Sequence, residues 1–380
     1  MNDYLFEGKN IINNAGRIFP DVELVRKRAA NIKYRTLEQL DKYLIEFEEN
    51  VEKNNGKILW AYSKKDILRT VRNLLIEFNY HNVLIGGGSI LDEIEIRSHL
   101  FKKKEKLLQK KEKHDVVTGI YGANFLIADA GTAVIAELMD NIIPQHKYPK
   151  NIIIIAGIEQ LLPSLKDLAV FIPLVSTFNT EIHVNATWNI LSGPGQDSEK
   201  DSLNNFLVIL FDNYRTTILK DVEQRNVLSC VSCKACSLVC PISHHINDNI
   251  NGNNAYRPIN LILTPLIKGI KDFNHLSYAS TLCRKCSEIC PLYLPLHEHL
   301  LTNRAKVVIN KAILKEWKQR TNLVTNIILQ RWIFHWIGVR IKNKIIRKLV
   351  NKYWGTNRKI PDFAKKSFKE YYKEVYPERK

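Results

Sequence analysis

The chain has 380 residues, 45% of them hydrophobic, enough for about two domains with their own cores. Lys and Arg outnumber Asp and Glu by 56 to 39, a formal net charge of +17. That excess is spread through an Asn-, Ile- and Lys-rich composition without a groove-entering motif, so no nucleic-acid partner is expected. The N-terminus, Met-Asn-Asp-Tyr-Leu-Phe-Glu-Gly-Lys9, shows no apolar h-region, and with reduced-type cysteines a cytoplasmic location is expected.

Residues 21–53 read as a helix or a helix pair. Asp21 is a candidate N-cap, and Leu37, Leu40, Leu44 and Phe47 fall at helical spacing. Residues 57–86 read as a β-α-β unit. Strand Lys57–Tyr62 leads to helix Lys65–Glu77, then to strand Asn82–Ile85. The second strand enters Gly86-Gly-Gly-Ser89 and a helix over Ile90–Leu100. Such a turn can cradle an anion at a helix N-terminus, or simply be tight. It is neither a Walker A nor a G-x-G-x-x-G sequence. The lysine-rich Phe101–Lys113 is expected to be a solvated helix or loop.

Phe125–Ala128 and Thr132–Ile135 are strand-like, joined through Asp129-Ala-Gly131. Ser89, Asn124, Asp129 and Thr132 are small or polar residues at turns, and so are candidate contacts for a small molecule. Asn151–Ala156 is a continuous apolar run of the buried parallel type. Val170–Ser176 and Glu181–Asn185 continue the strand pattern, Ser192–Gly195 opens a polar loop, and Phe206–Asp212 is a further buried strand. Alternating strands and helices indicate an α/β layer fold up to about residue 220.

From residue 222 the strands stop. Asn247–Asn254 reads as a polar loop, Pro258–Ile270 as a helix with Pro265 as kink or second start, and helical patterns run from Pro295 to the end. Thr321–Val350 is basic and amphipathic. Its apolar segments are too short for a bilayer, which takes ~20 residues. Packing against the cluster region or a partner is the stronger expectation there; peripheral membrane contact is the weaker one.

The helical part holds all seven cysteines. Cys230-Val-Ser-Cys233-Lys-Ala-Cys236-Ser-Leu-Val-Cys240-Pro241 is the C-x2-C-x2-C-x3-C-P run of bacterial ferredoxins. Cys283-Arg-Lys-Cys286-Ser-Glu-Ile-Cys290-Pro291 is the same run without its first cysteine, and Ser280 stands in that place. In two-cluster ferredoxins the fourth cysteine of each run ligates the other cluster. Cluster 1 would then be held by Cys230, Cys233, Cys236 and Cys290, and cluster 2 by Cys240, Cys283 and Cys286. The remaining corner of cluster 2 is open to Ser280, water, a partner or a vacancy, as in a three-iron cluster. Structural zinc takes four ligands from two C-x2-C pairs and suits this spacing poorly. A disulfide framework fails on the odd count.

Further residues carry a family resemblance. Ala123–Thr132, Gly157-Ile-Glu159, Pro163–Leu168, Leu210-Phe-Asp-Asn213, Leu263–Gly269, Leu276–Cys286 and Arg358–Phe368 together resemble lactate-utilisation protein B, the iron–sulfur subunit of a bacterial L-lactate oxidation system. The resemblance implies a lactate-utilisation α/β domain at 1–220, of the NagB/RpiA/CoA-transferase-like type. It implies an α-helical ferredoxin-like domain with two [4Fe-4S] clusters at 221–305, and a basic helical tail at 306–380. It further implies an electron-transfer role in oxidising L-lactate to pyruvate, with a cysteine-rich A-type subunit similar to heterodisulfide reductase and a C-type subunit as partners. The alternative is a stand-alone enzyme binding a hydroxyacid or phosphate, with accessory clusters. The chain departs from the family pattern at Gly88-Ser89, where Lys-Ser is common, in the short segment after it, and at Tyr214, where Gly follows Asp-Asn.

Overall fold

The run Asn151–Gly157 sits at the centre of a sheet whose two faces are both covered. Ile153 and Ile155 pack into one apolar cluster, Ile152 and Ile154 into another, and all four are fully buried. Side chains alternate across a strand, so an uninterrupted run of isoleucines is what a strand buried on both faces requires. The computed structural model describes residues 3–78, 83–101, 118–138, 149–179, 186–194, 203–243 and 256–309, with short stretches between 339 and 377. The lysine-rich 102–113, Glu181–Asn185, Asn247–Asn254 and nearly all of 321–350 lie outside the described residues.

Helices α1 (Asp3–Ile18), α2 (Val22–Glu38) and α3 (Leu40–Lys53) come first. Asp21 caps α2, its Oδ1 accepting from Leu24 N at 2.9 Å. Then follow β1 (Lys57–Ala61), α4 (Lys64–Glu77), β2 (Val83–Ile85), α5 (Ser89–Ile94) and α6 (Ile96–Phe101). The single helix expected over Ile90–Leu100 is broken at Glu95, whose φ of 54° is left-handed. Strands β3 (Thr118–Gly122), β4 (Phe125–Ile127), β5 (Thr132–Leu138), β6 (Asn151–Gly157) and β7 (Leu161–Leu162) follow, then helix α7 (Leu168–Phe178) and strands β8 (Ala186–Leu191) and β9 (Asn205–Phe211).

Val170–Ser176 is thus helix rather than strand. Pro173 sits within α7, and six of its side chains are buried. A short all-apolar run fits a buried helix as well as a buried strand, and here helix packing decides. The remaining described helices are α8 (Arg215–Lys220), α9 (Ala235–Leu238), α10 (Pro258–Lys268), α11 (Ile270–Tyr278), α12 (Lys285–Ile289), α13 (Leu296–Ile309) and α14 (Phe368–Val375). Gly269, at φ 105°, separates α10 from α11.

The main sheet has the order β1-β9-β6-β3-β2, and every neighbouring pair is parallel. Its strands therefore end at one edge, where Gly86–Ser89, Gly122–Asn124, Gly157–Gln160 and Asp212–Arg215 emerge. Binding sites of open α/β sheets lie at that edge. A second sheet, β7-β4-β5-β8, packs its Phe125 against Phe171 of α7 and Trp188 of β8, with ring centroids 5.5 and 6.3 Å apart. Residues of the α/β part and of the cysteine region share one apolar core, from Ala29 through Phe125 and Ile154 to Leu294 and Leu300.

By packing, Met1–Val307 form one unit and Val308–Lys380 a second. In the second, the rings of Phe368 and Tyr372 on α14 and of Tyr376 just after it meet at tilted angles, with centroids 5.9 and 5.1 Å apart.

The glycines at the edge have a packing explanation. Gly86 N donates to Ile120 O, and Gly122 N to Gly87 O at 3.0 Å, so this loop continues β2 alongside β3. A Cβ on Gly88, whose φ is 127°, would lie 2.7 Å from Gly122 Cα. Only glycine permits that approach.

The edge is locked by Arg215, which is 4% exposed. Its Nη2 meets Glu93 Oε2 at 2.7 Å and its Nε meets Glu159 Oε2 at 2.6 Å, joining the start of α8 to α5 and to the turn after β6. Burial opposes a charge on Glu93, but Arg215 overcomes it and holds the carboxyl below its usual range. Arg215→Met leaves two carboxylates in a largely buried setting without their cation. The expected loss is about 3–5 kcal/mol of stability, measured by urea denaturation.

Candidate functional site

Two short loops carry the cysteines, and they share one backbone conformation. In the first, Ser232 (φ 54°) and Lys234 (φ 65°) flank Cys233, and α9 follows. In the second, Leu282 (φ 55°) and Arg284 (φ 66°) flank Cys283, and α12 follows. Left-handed torsions are uncommon for residues other than glycine. Alternating left- and right-handed residues turn successive N–H groups into a concave nest, the backbone form of many iron–sulfur and phosphate sites.

Charge interactions sort the thiols into two adjoining groups. Cys290 acts on Cys230 and on Cys233, Cys230 acts on Cys233, and Cys236 is acted on by all three. Cys286 is acted on by Cys240 and Cys283. Cys236 also feels Cys286, which places the groups side by side. Burial pushes the Cys230 and Cys286 thiols up to about 12, and by the same cause raises Cys233, Cys236 and Cys290. Cys283 is exposed. Ser280, also at this site, accepts from Leu282 N through its Oγ at 3.2 Å.

This donor set suits a cluster better than an ion. Among the described residues no three His, Cys, Asp or Glu side chains close around a single metal ion. Structural zinc needs its thiolates within about 2.3 Å of one point, whereas an iron–sulfur cubane spreads them over its corners. Thiols this buried resist ionisation alone, so a cationic iron core is the partner that makes them thiolates. Three buried donors near the cysteines also lack acceptors among the described residues: Arg26 Nε, Ser229 Oγ and Ser237 Oγ. Cluster sulfurs accept such hydrogen bonds.

The α2 helix faces the first group with two cations one heptad apart. Arg26 Nη2 donates to Cys290 O at 2.7 Å and to Glu288 O at 2.9 Å, with its guanidinium 4.1 Å from the Tyr293 ring centroid. Lys33, 1% exposed, donates to Glu159 O and to Leu161 O. Burial lowers its pKa to about 8, against the pull of Glu159 and Cys230. A buried lysine held only by carbonyls is a costly arrangement and a mark of function. Sequence reading missed both residues. Their seven-residue spacing was visible, but charged residues on a helix ordinarily read as its solvated side.

The edge of the parallel sheet meets the first cysteine loop directly. Ser89 Oγ lies 3.3 Å from Ser232 Oγ. Ser89 and Asn124 line a small cavity together with Lys33, Gln160, Cys230 and Ser232. A cleft of about 1220 Å³ opens beside it, lined by Ser89, Glu93, Arg215 and the cysteines Cys230, Cys233, Cys236 and Cys290. The other two candidate contacts lie outside both. Asp129 Oδ1 accepts from Leu165 N at 2.9 Å, and Thr132 is buried in β5. Asn124 Oδ1 accepts from Ala136 N at 2.8 Å. Gln160, also missed from sequence, bridges Gly157 N and Ala123 O.

A parallel α/β sheet with a twin-loop cysteine site on its carboxyl edge defines the class. The LUD domain model matches residues 44–208, and the 4Fe-4S dicluster domain model matches residues 226–294, which include every cysteine. The chain is thus an iron–sulfur protein with two [4Fe-4S] clusters. It is 28% identical to lactate utilization protein B of Geobacillus sp. over 341 residues, covering 74% of this chain and 72% of that one. It is 29% identical to lactate utilization protein B of Anoxybacillus flavithermus with the same coverage. Lactate utilization protein B 2 of Bacillus mycoides is 28% identical over 342 residues, covering 74% and 72%. The chain thus joins a LUD domain to a 4Fe-4S dicluster domain, and along most of its length it is similar to lactate utilization protein B.

A crystal structure of a DUF162 family protein from Deinococcus radiodurans covers 46% of this chain and 98% of its own, at 11% identity and a TM-score of 0.33. That likeness is too slight to add to the argument. Among the described residues no helix is long and apolar enough to cross a membrane.

The two thiol groups draw on both runs, which gives a direct test. Cys290→Ala should remove the cluster shared with Cys230 and spare the other, whereas Cys240→Ala should do the reverse. Iron and sulfide analysis with EPR of the reduced protein separates these outcomes; loss following the order of the runs in sequence would refute the sharing.

Proposed function

We propose that this chain is the iron–sulfur electron-transfer subunit of a multi-subunit system that oxidises L-lactate to pyruvate. The observation that carries the reading is the pair of thiol groups, seated on the carboxyl edge of a LUD-domain sheet. In this reading Cys230, Cys233, Cys236 and Cys290 hold cluster 1, and Cys240, Cys283 and Cys286 hold cluster 2. The relatives' name supplies lactate as the substrate class. When bound, each cluster supplies one-electron acceptance and release. Oxidation of a hydroxyacid to a ketoacid yields two electrons and two protons. Two one-electron centres match the electron pair, and the protons leave where the hydroxyacid is oxidised.

That oxidation belongs to a partner, and a cysteine-rich A-type subunit and a C-type subunit are the partners proposed. The chain's own residues position and tune: the nests shape the loops, Arg26 and Lys33 place positive charge beside cluster 1, and apolar packing excludes water. We also propose the three-part division at residues 220 and 305, a NagB/RpiA/CoA-transferase-like ancestry for the α/β part, and a cytoplasmic setting. The stand-alone enzyme reading has less support, because Asn124 and Asp129 are spent on internal hydrogen bonds.

The test is anaerobic purification, iron and sulfide analysis, and EPR. Lactate should reduce both clusters only when the partner subunits are present. A chain without acid-labile sulfide, or clusters untouched by lactate with all subunits present, would overturn the reading. A second expectation concerns charge. Lys33→Met should move the midpoint potential of cluster 1 to more negative values, while Lys33→Arg should hold it near wild type. A potentiometric titration followed by EPR reads both.

A further inference from the structure

The two cysteine loops correspond residue by residue, and the correspondence extends to the position where the second loop lacks its cysteine. Cys230 and Ser280 each stand three residues before the cysteine that the two left-handed residues flank. The paired torsions differ by about one degree: 54° and 65° in the first loop, 55° and 66° in the second.

The side chains at the head of each loop make the same bond. Ser232 N donates to Cys230 Sγ at 3.4 Å. Leu282 N donates to Ser280 Oγ at 3.2 Å. Within its own nest, the Ser280 oxygen therefore occupies the place that the Cys230 sulfur occupies in the first.

The backbone around Ser280 is also anchored. Arg304 Nε donates to Ser277 O at 2.9 Å and its Nη2 to Ser280 O at 3.1 Å. Asn303, fully buried beside it, joins Gln224 at 2.7 Å and the Ile262 carbonyl at 3.1 Å. The Arg304 bonds tie α13 to the loop and anchor the Ser280 carbonyl. A serine hydroxyl has two acceptor sites. The Leu282 N–H takes one, and the other remains for a metal.

We propose that Ser280 Oγ is the fourth protein ligand of cluster 2, at the iron that no cysteine reaches. The proposal rests on the two-cluster reading above. On ligation the Fe–O bond forms, the hydroxyl proton passes to solvent, and a water on that iron is released; no electron is transferred. The bland reading of the same serine is a local turn in which the hydroxyl only caps Leu282 N. The two readings differ in what the oxygen does for iron.

The experiment compares wild type, S280A and S280C after anaerobic reconstitution, by iron and sulfide content, EPR and Mössbauer spectroscopy on isotope-enriched iron. The wild type is expected to hold about eight irons, as two cubanes require, with one iron subsite distinct from the thiolate-bound ones. S280A should fall to about seven irons and show a three-iron signal in the oxidised state, with the cluster 1 signal unchanged. S280C should return to the full iron count and shift the spectrum and midpoint of cluster 2 alone.

Unchanged iron content and spectra in S280A would overturn the ligation. If S280A fails to fold, the wild type and S280C still decide. A wild type with about seven irons beside an S280C with about eight would show that the serine does not ligate. Either result leaves the two-cluster reading standing. Absence of sulfide from the wild type would bring that reading down instead.

Discussion

Negative charge buried without water must be met by positive charge, and this requirement organises the cysteine region. Burial alone keeps these thiols protonated. Iron supplies the missing charge, but a thiolate-bound cluster is itself anionic. The surroundings answer that excess from outside. Arg26 holds the Cys290 carbonyl, Lys33 stands by Cys230, and Ser229 and Ser237 offer hydroxyls without partners among the described residues. The α2 helix that carries both cations lies outside the two matched domain regions, yet it completes the electrostatics of the site they enclose.

A second constraint fixes where that site sits. Five parallel strands must all finish at the same edge, so four loops from distant parts of the chain become neighbours there. Arg215 binds two of them through Glu93 and Glu159. Gly86–Gly88 brings the β2 loop against β3, and Ser89 against Ser232. The shared apolar core then makes the sheet and the cysteine loops one packed body rather than two joined by a linker. Glu159 takes part twice: its side chain pairs with Arg215, and its carbonyl receives Lys33. The sheet edge and the buried cation of the cluster site are thereby coupled through one residue.

Much of this was legible in the chain. The isoleucine run 151–156 and Phe206–Asp212 announced buried strands, Asp21 announced a helix start, and the cysteine spacing announced clusters. Other elements were hidden for identifiable reasons. Thr118–Gly122, a central strand, has glycines where strand formers are expected, and only its burial between β2 and β6 makes it one. Val170–Ser176 is apolar without a period, so its helix was decided by packing against α1 and α2. Glu95 breaks a helical pattern because its backbone turns left-handed, which no side-chain periodicity records.

Cysteine spacing and apolar runs are local properties, and by themselves they determined the cofactor class, the α/β order of the first part and the helical character of the second. The partners of each charge are not local. Lys33 and Cys230 lie almost two hundred positions apart in sequence, and Arg26 and Cys290 are 264 apart. That α2 faces the cysteines, that Asn124 and Asp129 are spent on backbone hydrogen bonds, and that Ser280 repeats the geometry of Cys230 were decided only by the tertiary structure. Long-range packing alone determines which buried polar group meets which.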